Sequence, residues 1–521
     1  MKVRRRTLLA GALSGLAGAS VLSAAGCGRN ASADQTAQLL ASGAPLPERF
    51  TATFVVPPVK RPLSRTTRAT TYEIVQRTAR AEILPGLQTE IMAYDGLLPG
   101  PTIHARRGEP VVVTHRNRLT VPTVVHLHGG HTPAESDGYP IDLVLPESGA
   151  GTHHGHLHTH PGGVIAKGSR DYHYPNDQPA ATLWYHDHRM DFTGPQVWRG
   201  LAGFHLITDD VEDGLDLPSG EHDVPLMIMD RSFAADGSLR YPALDPELID
   251  PPGVYGNYVA GVLGDVILVN GKPWPVMEVE AVRYRFRILN GSNARRYRLA
   301  LDPPPPAGPA FVQIGSDGGL LAAPLEHDAI QLAAAERSDV VVDFGAYPVG
   351  TVITVTNALG VGSTDAVMRF RVTRRAREGS RVPDRLAEIE PLQPGPGAIV
   401  REWTFSRGGA GGSAHWVING LPFDPARMDA SVPLGQTEIW RFSSDLHHPV
   451  HVHLDPFQVL RRGNRGPGEW DHGWKDTLDL LPLETAEVAI RFGDHAGKFL
   501  LHCHNLEHED MMMMSAFETL R

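Results

Sequence analysis

Three of the chain's His-x-His pairs, with one His-Cys-His triplet, stand out toward the two ends of 521 residues whose middle is almost free of histidine. They belong to four clusters: HLHGGH (126–131), WYHDH (184–188), HHPVHVH (447–453) and HCHNLEHEDMMMM (502–514). Side chains two apart on a β-strand share a face. Each of the pairs His126/His128, His186/His188 and His451/His453 therefore aims two imidazoles into one space. In the triplet, His502 and His504 point one way and Cys503 the other. If the imidazoles bind metal, the sulfur is offered to a different metal on the opposite side of the strand. The fold must then be built of strands, and it must bring both ends of the chain together.

The rest of the sequence suits that demand. With 54 Gly and 43 Pro, the chain is rich in turns, the composition of many short strands. From 51 to 208 run β-type stretches such as TYEIVQRTA and ATLWYHDH, bounded by turn residues. An acidic connection spans 209–222. A second series of strands covers 223–375 and holds a single histidine, His327. A charged, proline-rich connection covers 376–398, and a third series runs from 399 to 521. The reading is three β-sandwiches, with ligands in the first and third only.

The N-terminus reads as an export signal. Arg4, Arg5 and Arg6 precede Thr7-Leu8-Leu9 and an uncharged apolar stretch to Gly26, which resembles a twin-arginine signal peptide over 1–26. Cys27 follows Ala24-Ala25-Gly26 and is a candidate lipid anchor; the expectation is an extracellular, periplasmic or cell-surface protein. Residues 27–50 are small and polar and are expected to be disordered. Removing 1–26 takes away Lys2 and the three arginines and moves the formal charge from −11 to −15, a poor balance for binding nucleic acid. No later stretch is apolar enough to span a bilayer as a helix. Of two cysteines, only Cys503 then remains inside the fold, and a lone thiol in an oxidising compartment needs something to hold it.

A thiolate, two imidazoles and a weak thioether make the copper electron-transfer set. Cys503, His508 and Met513 lie on one stretch, and His448 lies in another. The remaining paired histidines suffice for several further coppers. Zinc, which takes four ligands in structural sites, would use too few of them.

These motifs, together with LPGPTIHARRGEPVVV, ESDGYP and VNGKPWPVMEVEAVRYRFRILNGSN, resemble the multicopper oxidases. The likeness is strongest to the bacterial spore-coat laccase type, with bilirubin oxidase and phenoxazinone synthase as neighbours, and it runs from about 50 to 521. It implies an all-β fold of three cupredoxin-like Greek-key domains and four copper ions. His448, Cys503, His508 and axial Met513 would hold the type 1 copper. His126 and His451 would hold the type 2 copper, and His128, His186, His188, His453, His502 and His504 the type 3 pair. Asp137 and Glu509 match the acidic residues expected to relay protons, the alternative being that they orient histidines. Dioxygen and a small aromatic or metal-ion reductant are the implied partners, and the chain is expected to be a monomer.

Three functions follow from this reading. The first is a laccase-like oxidase of phenols and related aromatics. The second is a metal oxidase acting on Cu(I), Mn(II) or Fe(II), or a bilirubin-oxidase-like enzyme. The third is a copper-binding protein without turnover, which would have no need of clusters wired through one cysteine. His447 is expected at the surface. The run HHGHLHTH, His153 to His160, has no part in the motifs and reads as a surface loop, with copper capture as the alternative.

Overall fold

The computed structural model describes residues 37–149, 162–377, 379–408 and 415–521. The signal stretch, Cys27 and the His153–His160 run lie outside the described residues. Strands hold 46% of the residues and helices 7%, which makes the protein all-β.

Two hydrogen-bonded sheets face each other in the first part of the chain. One contains Thr70–Ala81 and Val111–Asn117; the other orders Gly100–Arg106, Ala202–Thr208, Ala181–Asp187 and Val125–His128. Tyr72, Ile74, Val111 and Val113 from one sheet meet Val125, Leu127, Leu183 and Tyr185 from the other in a single apolar cluster. The middle part repeats this plan between Asp223–Phe233 and Ala366–Arg374. In the third part, Trp403, Phe405, Trp440 and Phe442 pack against Val450, Val452, Leu501 and Phe517. Burial of Phe442 or Phe517 stabilises the fold by roughly 1.5–3 kcal/mol relative to an exposed position.

Six elements carry the site: β1 (Val125–His128), β2 (Ala181–Asp187), β3 (His448–Val452), β4 (Thr477–Leu480), β5 (Gly497–Cys503) and helix α1 (Leu506–Asp510). Alternation decides which residue faces which way. Val125 and Leu127 of β1 turn into the first core, so His126 turns away from it. Val450 and Val452 of β3, with Leu501 and Cys503 of β5, turn into the third core, so His451 and His502 turn away. Register then brings imidazoles face to face: His126 lies opposite His186 across β1 and β2, and His451 lies opposite His502 across β3 and β5.

The 27–50 stretch departs from the disorder expected of it over the part described. Gln38–Leu40 pairs in parallel with Val262–Gly264. Leu40 is buried, and the Ser42 amide donates to Asp265 at 2.7 Å. A polar composition hid one apolar side chain and one cap, which together anchor the strand. The 209–222 connection contains a short helix, Asp210–Asp213, whose preceding residue Asp209 accepts the Glu212 amide. The 376–398 connection has no regular element among its described residues, yet its own Leu386 and Leu392 are buried.

Candidate metal centre

Eight buried imidazoles from both ends of the chain converge in one space. His128, His186 and His504 form one group, with ring centroids 5.0–5.7 Å apart. His188, His453 and His502 form a second, with centroids 5.0–5.2 Å apart. His126 and His451 face each other, Nε2 to Nε2, at 3.4 Å.

The protons on these rings are fixed from outside. Nδ1–H of His126 donates to the Asp137 carbonyl at 2.5 Å, that of His451 to the Asp476 carbonyl at 2.9 Å, and that of His186 to the Asp187 carbonyl at 2.8 Å. His453 Nδ1 meets the Asp137 carboxylate at 2.7 Å, and His502 Nδ1 meets Glu509 at 3.1 Å. Each of these contacts leaves an unprotonated Nε2 turned inward. His128 is reversed: its Nε2 binds Asp476 at 3.1 Å and its Nδ1 has no partner. Burial holds His126, His128, His451, His453 and His504 well below the usual histidine range, His186 at about 3 and His188 at about 4. Neutral rings with facing lone pairs repel. The His188–His502 and His453–His502 Nε2 contacts of 3.3 and 3.2 Å, with unpartnered nitrogens on His186 and His504, fit cations between them.

On the other side of β5 the Cys503 sulfur lies 3.5 Å from His448 Nδ1 and 3.6 Å from His508 Nδ1, with those nitrogens 3.1 Å apart. The Asn505 amide donates to the sulfur at 3.4 Å. Burial pushes the thiol well above its ordinary range, so a cation is what would favour the thiolate. Helix α1 presents His508, and Trp416 stacks on its ring at 3.7 Å. Met513 is buried in the same apolar cluster as Cys503, and its carbonyl accepts the Cys503 amide at 3.1 Å. A thiol, two imidazoles and a neighbouring thioether form a soft donor set that suits copper.

Asp137 and Glu509 are both buried against the histidine cluster. Burial drives the Asp137 carboxyl well up. Burial also acts to raise Glu509, but His502 and His188 beside it outweigh that and hold it well below the usual range. His447 is a correction: it is buried, not at the surface, because its Nε2 donates to Asp479 at 2.5 Å. Sequence reasoning missed Asp476, which is held by Arg337 of the middle part through Nη1 at 2.8 Å and through Nη2, and which touches both His128 and Thr477. Nothing local marks it, since 139 residues separate the pair.

Comparison with known proteins places this geometry. Family models described as multicopper oxidase match residues 76–212 and 401–521. A laccase from Bacillus subtilis is 37% identical over 90% of this chain and 98% of its own. A bilirubin oxidase from Albifimbria verrucaria is 34% identical over 90% of this chain and 81% of its own. The crystal structure of a laccase from Pediococcus acidilactici superposes with a TM-score of 0.79 at 33% identity, covering 94% of this chain and 97% of that one.

Proposed function

The chain belongs to the multicopper oxidases, oxidoreductases that use oxygen, and from that premise we propose that it is an exported laccase-like enzyme with four coppers. It would take electrons singly from phenolic and related aromatic donors and reduce dioxygen to two waters. Copper bound at the two centres would supply single-electron acceptance beside Cys503 and four-electron reduction of dioxygen among the histidines. The proposal rests above all on the back-to-back placement of Cys503 against His502 and His504 on one stretch of chain.

This chain's residues would do the rest. His448, Cys503, His508 and Met513 would hold the electron-accepting ion; His126 and His451 the type 2 ion; and His128, His186, His188, His453, His502 and His504 the type 3 pair. The peptide bonds joining residues 502, 503 and 504 connect the sulfur covalently to both imidazoles, so an electron need cross no gap between elements. Water formation consumes four protons, and the carboxylates of Asp137 and Glu509 lie against His453 and His502 to deliver them. Leu500, two residues before His502 on β5, and Met514, opposite His502 on the next strand, are both buried.

Asp445 favours a second reading. Its side chain is 36% exposed and lies 3.1 Å from His448 Nε2, so a carboxylate stands where Mn(II), Fe(II) or Cu(I) could dock to give up an electron. Export by the twin-arginine route, the Cys27 anchor and a monomeric state rest on the sequence; cell fractionation after Arg5→Lys and Arg6→Lys tests the first.

An absorption spectrum and an oxygen electrode test the main reading. Copper-loaded protein should show an intense thiolate-to-copper band and consume oxygen when given a phenol. Cys503→Ser should lose both while keeping copper among the histidines. Oxygen uptake that survives Cys503→Ser would overturn the proposal, and turnover of metal ions alone would move it to the second reading.

A further inference from the structure

The last histidine of HLHGGH takes no part in either centre. We propose that His131, Asp494 and His495 form a separate binding site for a divalent cation of borderline softness, zinc foremost, which ties the first sandwich to the third beside the oxygen-reducing cluster.

His131 stands three residues after His128, in the turn that follows β1. Its Nε2 lies 3.0 Å from Asp494 Oδ1, and the Nε2 of His495 lies 3.8 Å from that same oxygen. The two rings are 4.6 Å apart between centroids. A simple ion pair would engage one imidazole. Here two imidazoles from different sandwiches converge on one carboxylate oxygen. A tetrahedral zinc with bonds of about 2.0–2.2 Å sets its ligand atoms about 3.4 Å from one another, and the two observed separations bracket that value.

Asp455 provides the support such a site uses. Its Oδ1 lies 2.8 Å from His131 Nδ1, and its Oδ2 accepts the Gly493 amide at 2.7 Å. A carboxylate that takes the Nδ1 proton leaves Nε2 as a lone pair and fixes the ring plane, the arrangement found behind metal-bound histidines. His131 and Asp455 also line a cavity of about 260 Å³, and the Asp494 side chain is 76% exposed, so an ion and a completing water have a way in. Arg491, a cation on the cavity wall, is committed to Glu390 at 2.9 Å. Glu135 adds negative charge facing His495. Oxygen and nitrogen donors without sulfur suit zinc; Cu(II) would compete for the same set.

The test is zinc binding by the copper-loaded, desalted enzyme, read as zinc per chain and as the dissociation constant of added zinc alone. The five histidines of 153–160 would take up zinc too, so the measurement is made in a chain with those five replaced by serine. One zinc per chain above the copper complement is expected. His131→Ala and Asp494→Asn should each abolish it. Asp455→Asn, which removes no ligand, should weaken it by about 10–100-fold with the copper content unchanged. No retained zinc, or zinc indifferent to His131→Ala or to Asp455→Asn, would overturn the proposal.

Discussion

Replacing Arg337 by methionine removes the cation that pairs with Asp476 behind the histidine cluster, and the structure lets the cost be estimated. Arg337 is fully buried and donates to the carbonyls of Thr182, Ala335 and Asp317 at 3.0, 3.1 and 3.0 Å as well as to Asp476. Breaking a buried pair by removing one partner costs about 3–5 kcal/mol, because a buried charge is left uncompensated. Asp317 keeps Lys475 at 2.9 Å, so Asp476 is the carboxylate left without its cation; the three carbonyls lose a donor besides, and about 3 kcal/mol is the least expected. At about 1.4 kcal/mol per factor of ten, local opening becomes about 100-fold more frequent. Native-state hydrogen exchange in the metal-free protein reads this at the amides of Arg337 and Thr477, which both donate to Asp317, at 2.8 and 3.2 Å. Adding Asp476→Leu should recover most of the protection, since an apolar pair can replace a buried ionic one at little cost. It should not recover copper content, because His128 has lost the carboxylate behind it. The reasoning fails if Arg337→Met changes the opening free energy by less than about 0.5 kcal/mol, the range of an ordinary surface substitution. It also fails if the double variant exchanges as fast as the single one.

Glu509→Gln and Asp137→Asn should each slow oxygen consumption by about 10²–10⁴ while stopped-flow reduction of the thiolate-to-copper band keeps its rate; equal loss in both steps would make them structural supports only. In zinc-free protein His131 contributes to stability in a pH-dependent way. Burial opposes its charge, but Asp455 and Asp494 more than compensate and raise its pKa above 6.5, with His495 the other group facing it. A raised histidine stabilises fully below its unfolded pKa and loses that contribution as pH climbs through the folded value. The difference in unfolding midpoint between wild type and His131→Ala should therefore be fully present below about pH 6.5 and shrink as pH rises above it; a flat difference would refute it.

What the sequence made legible is what strand alternation controls. His-x-His spacing foretells two imidazoles on one face, and the flanking apolar residues say which face is core. Val450 and Val452 sit in the third core while His451 does not, and Leu501 and Cys503 do while His502 does not. That rule alone separates the sulfur from the imidazoles. It is silent about partners far away in the chain. Gln38–Leu40 finds its strand at 262–264, and His447 finds Asp479 on the strand paired with β3. Both escape a reading of composition, because a single buried side chain or ion pair leaves no periodic trace.

The ligand-free middle sandwich acquires a role from such distant pairs. Strand β4 and the residue before it place Asp476 and Asp479 three apart, and each carboxylate meets a buried arginine of the middle part: Arg337 at Asp476 and Arg296 at Asp479, the latter at 2.6 Å. Asp476 contacts His128 through its carboxylate and His451 through its carbonyl. Asp479 receives His447, the immediate neighbour of His448. Two arginines thus set the charge and orientation of groups that touch, or adjoin, histidines of both centres. Buried aspartates in those places would be costly without a cation, and neither the first nor the third sandwich supplies these two. The middle sandwich, with no ligand of its own, serves as the counter-charge against which both centres are positioned.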